Sequence, residues 1–176
     1  MRPERWGVVA AAATLAACQA FPGLDPAPAA CAPLSFKGAP ALPLPPAEPP
    51  AGVPQKGRPL KFANAIPLGG GVGDVGAWTD VAAGWRAWRL KLRSEGAKSL
   101  SLHVKPLVLP EAAELWLCEP EGGLRQGPLT GTGPAGSGEV WTAEVPGPEL
   151  WVEILAPAAT APVVRMRIVE AFAAYR

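Results

Sequence analysis

The chain has 176 residues, of which 49% are hydrophobic and 18% charged, and its formal net charge is +1. That length suits about one domain plus accessory segments, and the near-neutral balance removes the electrostatic basis for binding nucleic acid. With one histidine and three cysteines, the sequence lacks the donors for a histidine-rich metal site and has little to build a serine–histidine–aspartate triad from.

Arg2 and Arg5 open the chain, and an apolar run follows from Trp6 to Ala17. A basic start and a short apolar core form an export signal; a bilayer span would need about 20 apolar residues. Leu15-Ala16-Ala17-Cys18 ends the run. This tetrapeptide resembles the lipobox of bacterial lipoproteins. The resemblance implies removal of residues 1–17, attachment of lipid to Cys18, and residence at the outer membrane, facing the periplasm or the cell surface. Several acyl chains on Cys18 would satisfy the need for more than one lipid in a stable anchor.

Residues 18–59 are rich in proline and alanine. Each proline fixes its φ and removes an amide donor, so the segment is expected to be a disordered, extended tether. Pro43-Leu44-Pro45-Pro46 would also suit a reader of polyproline segments, but a spacer fits the context of an exported chain. Cys31 lies in this tether and Cys118 in a later strand. They form a candidate disulfide in an oxidising compartment, although spacing alone does not bring their Cα atoms within reach of each other.

Residues 60–176 are expected to be the globular domain. Trp88, Leu90 and Leu92 alternate with Arg89, Lys91 and Arg93; after Ser94-Glu95-Gly96-Ala97-Lys98 the alternation resumes with Leu100, Leu102 and Val104. Two period-two runs around a glycine turn predict paired antiparallel strands with one face in a core. Further short strands are expected over Lys61–Ile66, Glu114–Cys118, Glu139–Val145, around Leu150, Val152 and Ile154, and around Val164, Met166 and Ile168. About seven or eight strands without a convincing helix predict an all-β fold, an antiparallel β-sandwich or jelly-roll-like domain. Gly71-x-Gly73-x-x-Gly76 formally matches a dinucleotide fingerprint. The helix that would hold the pyrophosphate does not follow, so the stretch is expected to be a loop, as is Gly127–Gly138.

The run from Trp85 to His103 resembles the N-terminal accessory domain of secreted bacterial trypsin-like proteases of the lysyl-endopeptidase type. Further pieces follow in order: Leu109-Pro110, Leu115-Trp116-Leu117-Cys118-Glu119-Pro120, Gln126-Gly127-Pro128-Leu129-Thr130, Gly138-Glu139-Val140-Trp141-Thr142 and Val145-Pro146-Gly147. The resemblance covers about residues 62–175. Cys118 stands where that family carries an aromatic residue, and the chain stops at Tyr175-Arg176, where the protease domain would begin.

His103 lies on the polar face of its strand and reads as a solvated residue, and no Gly-Asp-Ser-Gly-Gly stretch is present. No catalytic residue, cofactor or metal is therefore expected; Asp74 and Asp80 lack calcium-ligand spacing. Arg89, Lys91 and Arg93 form a basic stripe, opposed by glutamates such as Glu144 or Glu153 if it is simply a solvated face. Trp88 and Trp141 have the parity of core residues. Trp151 falls out of step with Leu150 and Val152 and is expected to be exposed. Trp151 with the basic stripe is the candidate ligand surface. The function expected is a non-catalytic envelope lipoprotein whose sandwich binds a protein partner, a protease among the candidates. The alternatives are a carbohydrate- or peptidoglycan-binding module and the truncated precursor portion of a trypsin-like protease.

Overall fold

The computed structural model describes residues 25–49, 61–82, 84–120 and 123–176. The export signal, the lipobox with Cys18 and residues 50–60 lie outside the described residues. Among those described, the strands are β1 (Ala41–Leu44), β2 (Ala63–Gly71), β3 (Ala77–Ala82), β4 (Trp85–Ser94), β5 (Ser99–Val108), β6 (Glu114–Cys118), β7 (Arg125–Leu129), β8 (Val140–Trp141), β9 (Val145–Pro146), β10 (Glu149–Pro157) and β11 (Arg165–Ala174). They form two packed sheets, so the expected all-β sandwich is the fold.

The first sheet runs β1-β4-β10-β6-β7, with β3 also on β4; β3 and β1 share one edge of β4 in succession. The second runs β2-β11-β5-β8, with β9 also on β5. The pairings are antiparallel except that of β1 with β4. Period-two alternation sets the inner face. The cross-strand rows Trp88–Ile154–Leu115 and Leu90–Val152–Leu117 belong to the same core as Leu100, Leu102, Val104, Ile168 and Ala171 of the second sheet. Trp88 is fully buried, and its indole N–H donates to the carbonyls of Val72 and Val75 at 3.1 and 3.0 Å. Gly76, at φ +73°, lies where a Cβ would come within 2.5 Å of that indole. Only glycine combines this backbone with this closeness.

Several sequence expectations need correction. Gly69–Gly71 end β2, where Gly70 and Gly71 pair with Ile168 and Arg167 of β11, and only the following residues 72–76 form the expected turn. Residues 125–129, assigned in part to a long loop, form β7 on β6. The single strand expected over Glu139–Val145 is split into β8 and β9, because the Thr142 side chain and amide replace strand pairing opposite Leu102. β5 runs through Pro106 to Val108, with a register shift against β11 at that point.

The largest difference concerns the proline-rich tether. Residues 25–49 are not a spacer; the part up to Ala39 covers the outer face of the first sheet, and the rest runs along the edge of the sandwich to β2. Ala41–Leu44 adds β1 in parallel to the edge of β4, and Phe36, in a short 3₁₀ turn over Pro33–Phe36, is fully buried. Cys31 is bonded to Cys118, with Cα atoms 5.5 Å apart. Phe36, Cys31, Cys118, Trp85, Ala87 and Leu155 make a second apolar cluster on that face. Further ties are the indole N–H of Trp85 to the Asp25 carbonyl (2.7 Å), the Ser94 hydroxyl to the Pro45 carbonyl (2.7 Å) and the Ala47 amide to the Glu95 carbonyl (2.8 Å). Prolines suit the place, since an edge strand tolerates missing donors.

Glu153 of β10 lies under this wrap with its side chain 0% exposed. One carboxylate oxygen accepts from Arg89 Nε at 2.7 Å and the other from the Cys31 amide, also at 2.7 Å. Arg89 donates in addition to the Thr79 hydroxyl at 3.2 Å. A buried charge is tolerated only when paired in this manner. Glu153→Leu would leave the Arg89 guanidinium buried without its partner, at an expected cost of about 3–5 kcal/mol in urea unfolding. Adding Arg89→Met should recover much of that loss. Equal losses in the single and double variants would show that packing, not charge pairing, holds the wrap. Loss of the disulfide in the Cys31→Ala/Cys118→Ala pair is expected to cost about 2–5 kcal/mol, with a red shift of tryptophan emission as the aromatic rings beneath the wrap meet water.

Candidate ligand-binding groove

The basic stripe and Trp151 do lie side by side, on the outer face of the first sheet, where β10 pairs Trp151 with Lys91 and Glu153 with Arg89. The wrap covers most of this surface. Arg89 is buried in its pair with Glu153. Trp151, expected to be exposed, is half-buried; its ring stacks on Phe36 with centroids 4.5 Å apart, and Lys91 Nζ sits 5.3 Å from its centroid. Only Arg93 keeps a largely exposed side chain, 3.9 Å from Glu149. Glu153 does oppose the stripe, but from a buried position, and Glu144 instead accepts from the Ser99 hydroxyl at 2.9 Å. Cys31, Cys118 and Glu153 converge within 4.8 Å. The two sulfurs are bonded to each other and the carboxylate is taken by Arg89 and the Cys31 amide, so this cluster is a structural clasp.

The open aromatic surface is on the other sheet. Trp141, assigned to the core by parity, is 61% exposed. The register explains the error. Val140 opposes Val104 and turns inward, which sends Trp141 outward beside His103. Because side chains alternate, a slip of one residue reverses the face. Trp141 lies nearly flat on the His103 imidazole, with centroids 3.9 Å apart and planes 8° apart, and tilts toward Phe172 at 5.6 Å. One face of the indole is thereby covered, and the exposure of the residue belongs largely to the other.

Beside this platform runs a groove of about 920 Å³. Phe62, Trp141 and Phe172 supply aromatic walls, Pro45 and Pro46 of the wrap close one side, and β2 from Ala63 to Pro67 forms the floor and rim. Lys61, Asn64 and Glu144 are its polar members. Phe62 is 59% exposed, so apolar surface is presented to solvent here in quantity. Asn64 is not free: its amide donates to the Glu48 carbonyl at 2.9 Å, tying the wrap to β2.

His103 is not the solvated residue expected. Its side chain is 12% exposed, with Nε2 2.8 Å from Glu139 Oε1 and Nδ1 3.9 Å from Glu170 Oε2. Nδ1 is buried and lacks a hydrogen-bond partner. Lys105 Nζ donates to the second Glu139 oxygen at 2.9 Å. The Lys105 hydrogen bond first, and that of His103 second, hold the Glu139 carboxyl below the usual carboxylate range. Histidine and three charged groups thus form one network, on which the Trp141 ring stacks. The network sets an imidazole, an ammonium and two carboxylates beside the exposed indole of Trp141. Asp74 accepts from the Gly71 amide at 2.9 Å and Asp80 pairs with Arg86 at 3.0 Å, so both serve local structure.

No protein-family model matches the chain, and the searches of curated proteins and of solved structures return no match either.

A carboxyl held below its usual range stabilises the fold above the ordinary glutamate range and loses that contribution as pH falls through the lowered value. Acidification past that range should therefore release Lys105 and His103 from Glu139 and shift the Trp141 indole resonances in an NMR titration. Glu139→Gln should remove the shift; a transition that persists unchanged in this variant would assign it to another group.

Proposed function

We propose that this chain is a non-catalytic lipoprotein of the bacterial envelope, anchored by lipid on Cys18, whose β-sandwich binds a partner protein in the groove beside Trp141. The observation that carries this reading is the exposed aromatic lining: Phe62, Trp141 and Phe172 border a mainly apolar cavity with few polar members. Exposed apolar surface concentrated in one place marks interaction sites, and tryptophan is prominent among residues that dominate binding energy. The Cys31–Cys118 disulfide fits an exported protein, since such bonds persist in oxidising compartments. The resemblance of residues 62–175 to a protease accessory domain makes a secreted protease the first partner to try.

A second reading, a carbohydrate- or peptidoglycan-binding module, is favoured by one feature. Trp141 offers an open ring face backed by a stacked imidazole, a geometry on which a sugar ring can lie.

A photo-cross-linking residue at position 141, in the membrane-anchored chain, separates the two readings. Covalent capture of a protein, lost when Phe172→Ala is added, is expected; capture of glycan alone would favour the second reading. Trp141→Ala should weaken binding by at least about tenfold, the scale of an interface hot spot, while leaving stability nearly unchanged. Cys18→Ser should release the protein from the membrane fraction.

A further inference from the structure

Strand β2 pairs on one side only among the described residues, with β11. The direction of its backbone groups can be fixed. The Tyr175 amide donates to the Phe62 carbonyl at 3.0 Å, so Phe62 faces β11. In an extended strand, successive residues direct their N–H and C=O to opposite sides. Asn64 and Ile66 therefore also face β11, where they oppose Ala173 and Ala171. The far side of β11 agrees: the Ala174 carbonyl accepts from the Lys98 amide, on the β5 side, at 2.7 Å. Ala174 opposes Ala63, so Ala63 and Ala65 turn their amides and carbonyls away from the sheet. Pro67 has the same parity but no N–H, and it ends the row.

Among the described residues this edge is unpaired, and Ala63 and Ala65 offer two amides and two carbonyls in strand spacing, on small side chains that leave room for close approach. The same residues, Ala63 and Ala65, border the groove with Phe62, Phe172 and Trp141. Alternating donors and acceptors at strand spacing complement another extended backbone. We propose that an extended segment of the partner protein adds to β2 as a further strand, with one of its apolar side chains seated in the groove. Main-chain bonds would then give registration and the groove would give selectivity, as in other cases of strand addition. The inference rests on the protein-binding reading above and names how the partner is held.

Amide exchange in the intact protein, followed by NMR, provides the first test. Ala63 and Ala65 should exchange fast while Asn64 and Ile66 are protected; protection of Ala63 and Ala65 in the protein alone would mean an edge already paired and would overturn the proposal. The second test uses a set of capped heptapeptides in a threonine–valine background, with each residue type in turn at the centre. Peptides with a bulky apolar centre should slow exchange at Ala63 and Ala65, and Ala65→Pro should weaken their binding at least tenfold with thermal unfolding unchanged. Should that variant fail to fold, peptide-dependent protection of Ala63 in the unmodified chain decides alone. Peptides that leave both amides unprotected would overturn strand addition. If position 141 still cross-links a protein in that case, the protein-binding reading stands without it.

Discussion

The structure depends on keeping one buried carboxylate satisfied. Glu153 sits in the middle of β10 with no access to water, and its two oxygens are used by Arg89 of β4 and by the amide of Cys31. Neither partner alone would suffice, because a desolvated charge needs both pairing and hydrogen bonds. The requirement therefore couples two neighbouring strands to a segment more than a hundred residues earlier in the chain. The disulfide to Cys118 on β6 and the burial of Phe36 act on the same segment, so an ion pair, a covalent bond and an apolar anchor all seat the wrap on one face.

That wrap makes the two sides of the sandwich unlike. The first sheet is covered inside by the main core and outside by a second cluster, which is why β4 and β10 are buried along most of their length. Among the described residues the outer face of the second sheet is uncovered, and Trp141 is displayed there beside His103 and Phe172. The imidazole under Trp141 is flanked by Glu139 and Glu170, with Lys105 on Glu139, so the indole lies on a plane whose own position is set by charged neighbours. An aromatic ring already stacked on a neighbour has less conformational freedom to lose on binding than a free one.

The sandwich itself was legible because strands obey a two-residue period, and β4, β5, β10 and β11 display it. Strands β1, β3 and β7 were not, since prolines, glycines and small polar residues carry no alternation and their pairing is decided by neighbours. The parity of Arg89 and Glu153 was read correctly as facing away from the main core. What parity could not show is that another part of the chain, rather than water, meets them. Trp141 was misassigned because the sequence runs evenly from Glu139 to Val145 while the strand breaks at Thr142. Val140 and Val145, an odd number of residues apart and both buried, are the trace of that break in the sequence.

Fixing the N-terminal segment also sets how far the domain can stand from its point of attachment. The carbonyl of Asp25 is already held by the Trp85 indole. If lipid is carried at Cys18, as proposed above, only seven peptide bonds separate that residue from Asp25. A fully extended chain spans at most about 3.3–3.6 Å per residue, which gives a reach of roughly 25 Å. The sandwich would then ride against the lipid headgroups rather than on a long stalk, and whatever it recognises would have to come within that distance of the bilayer.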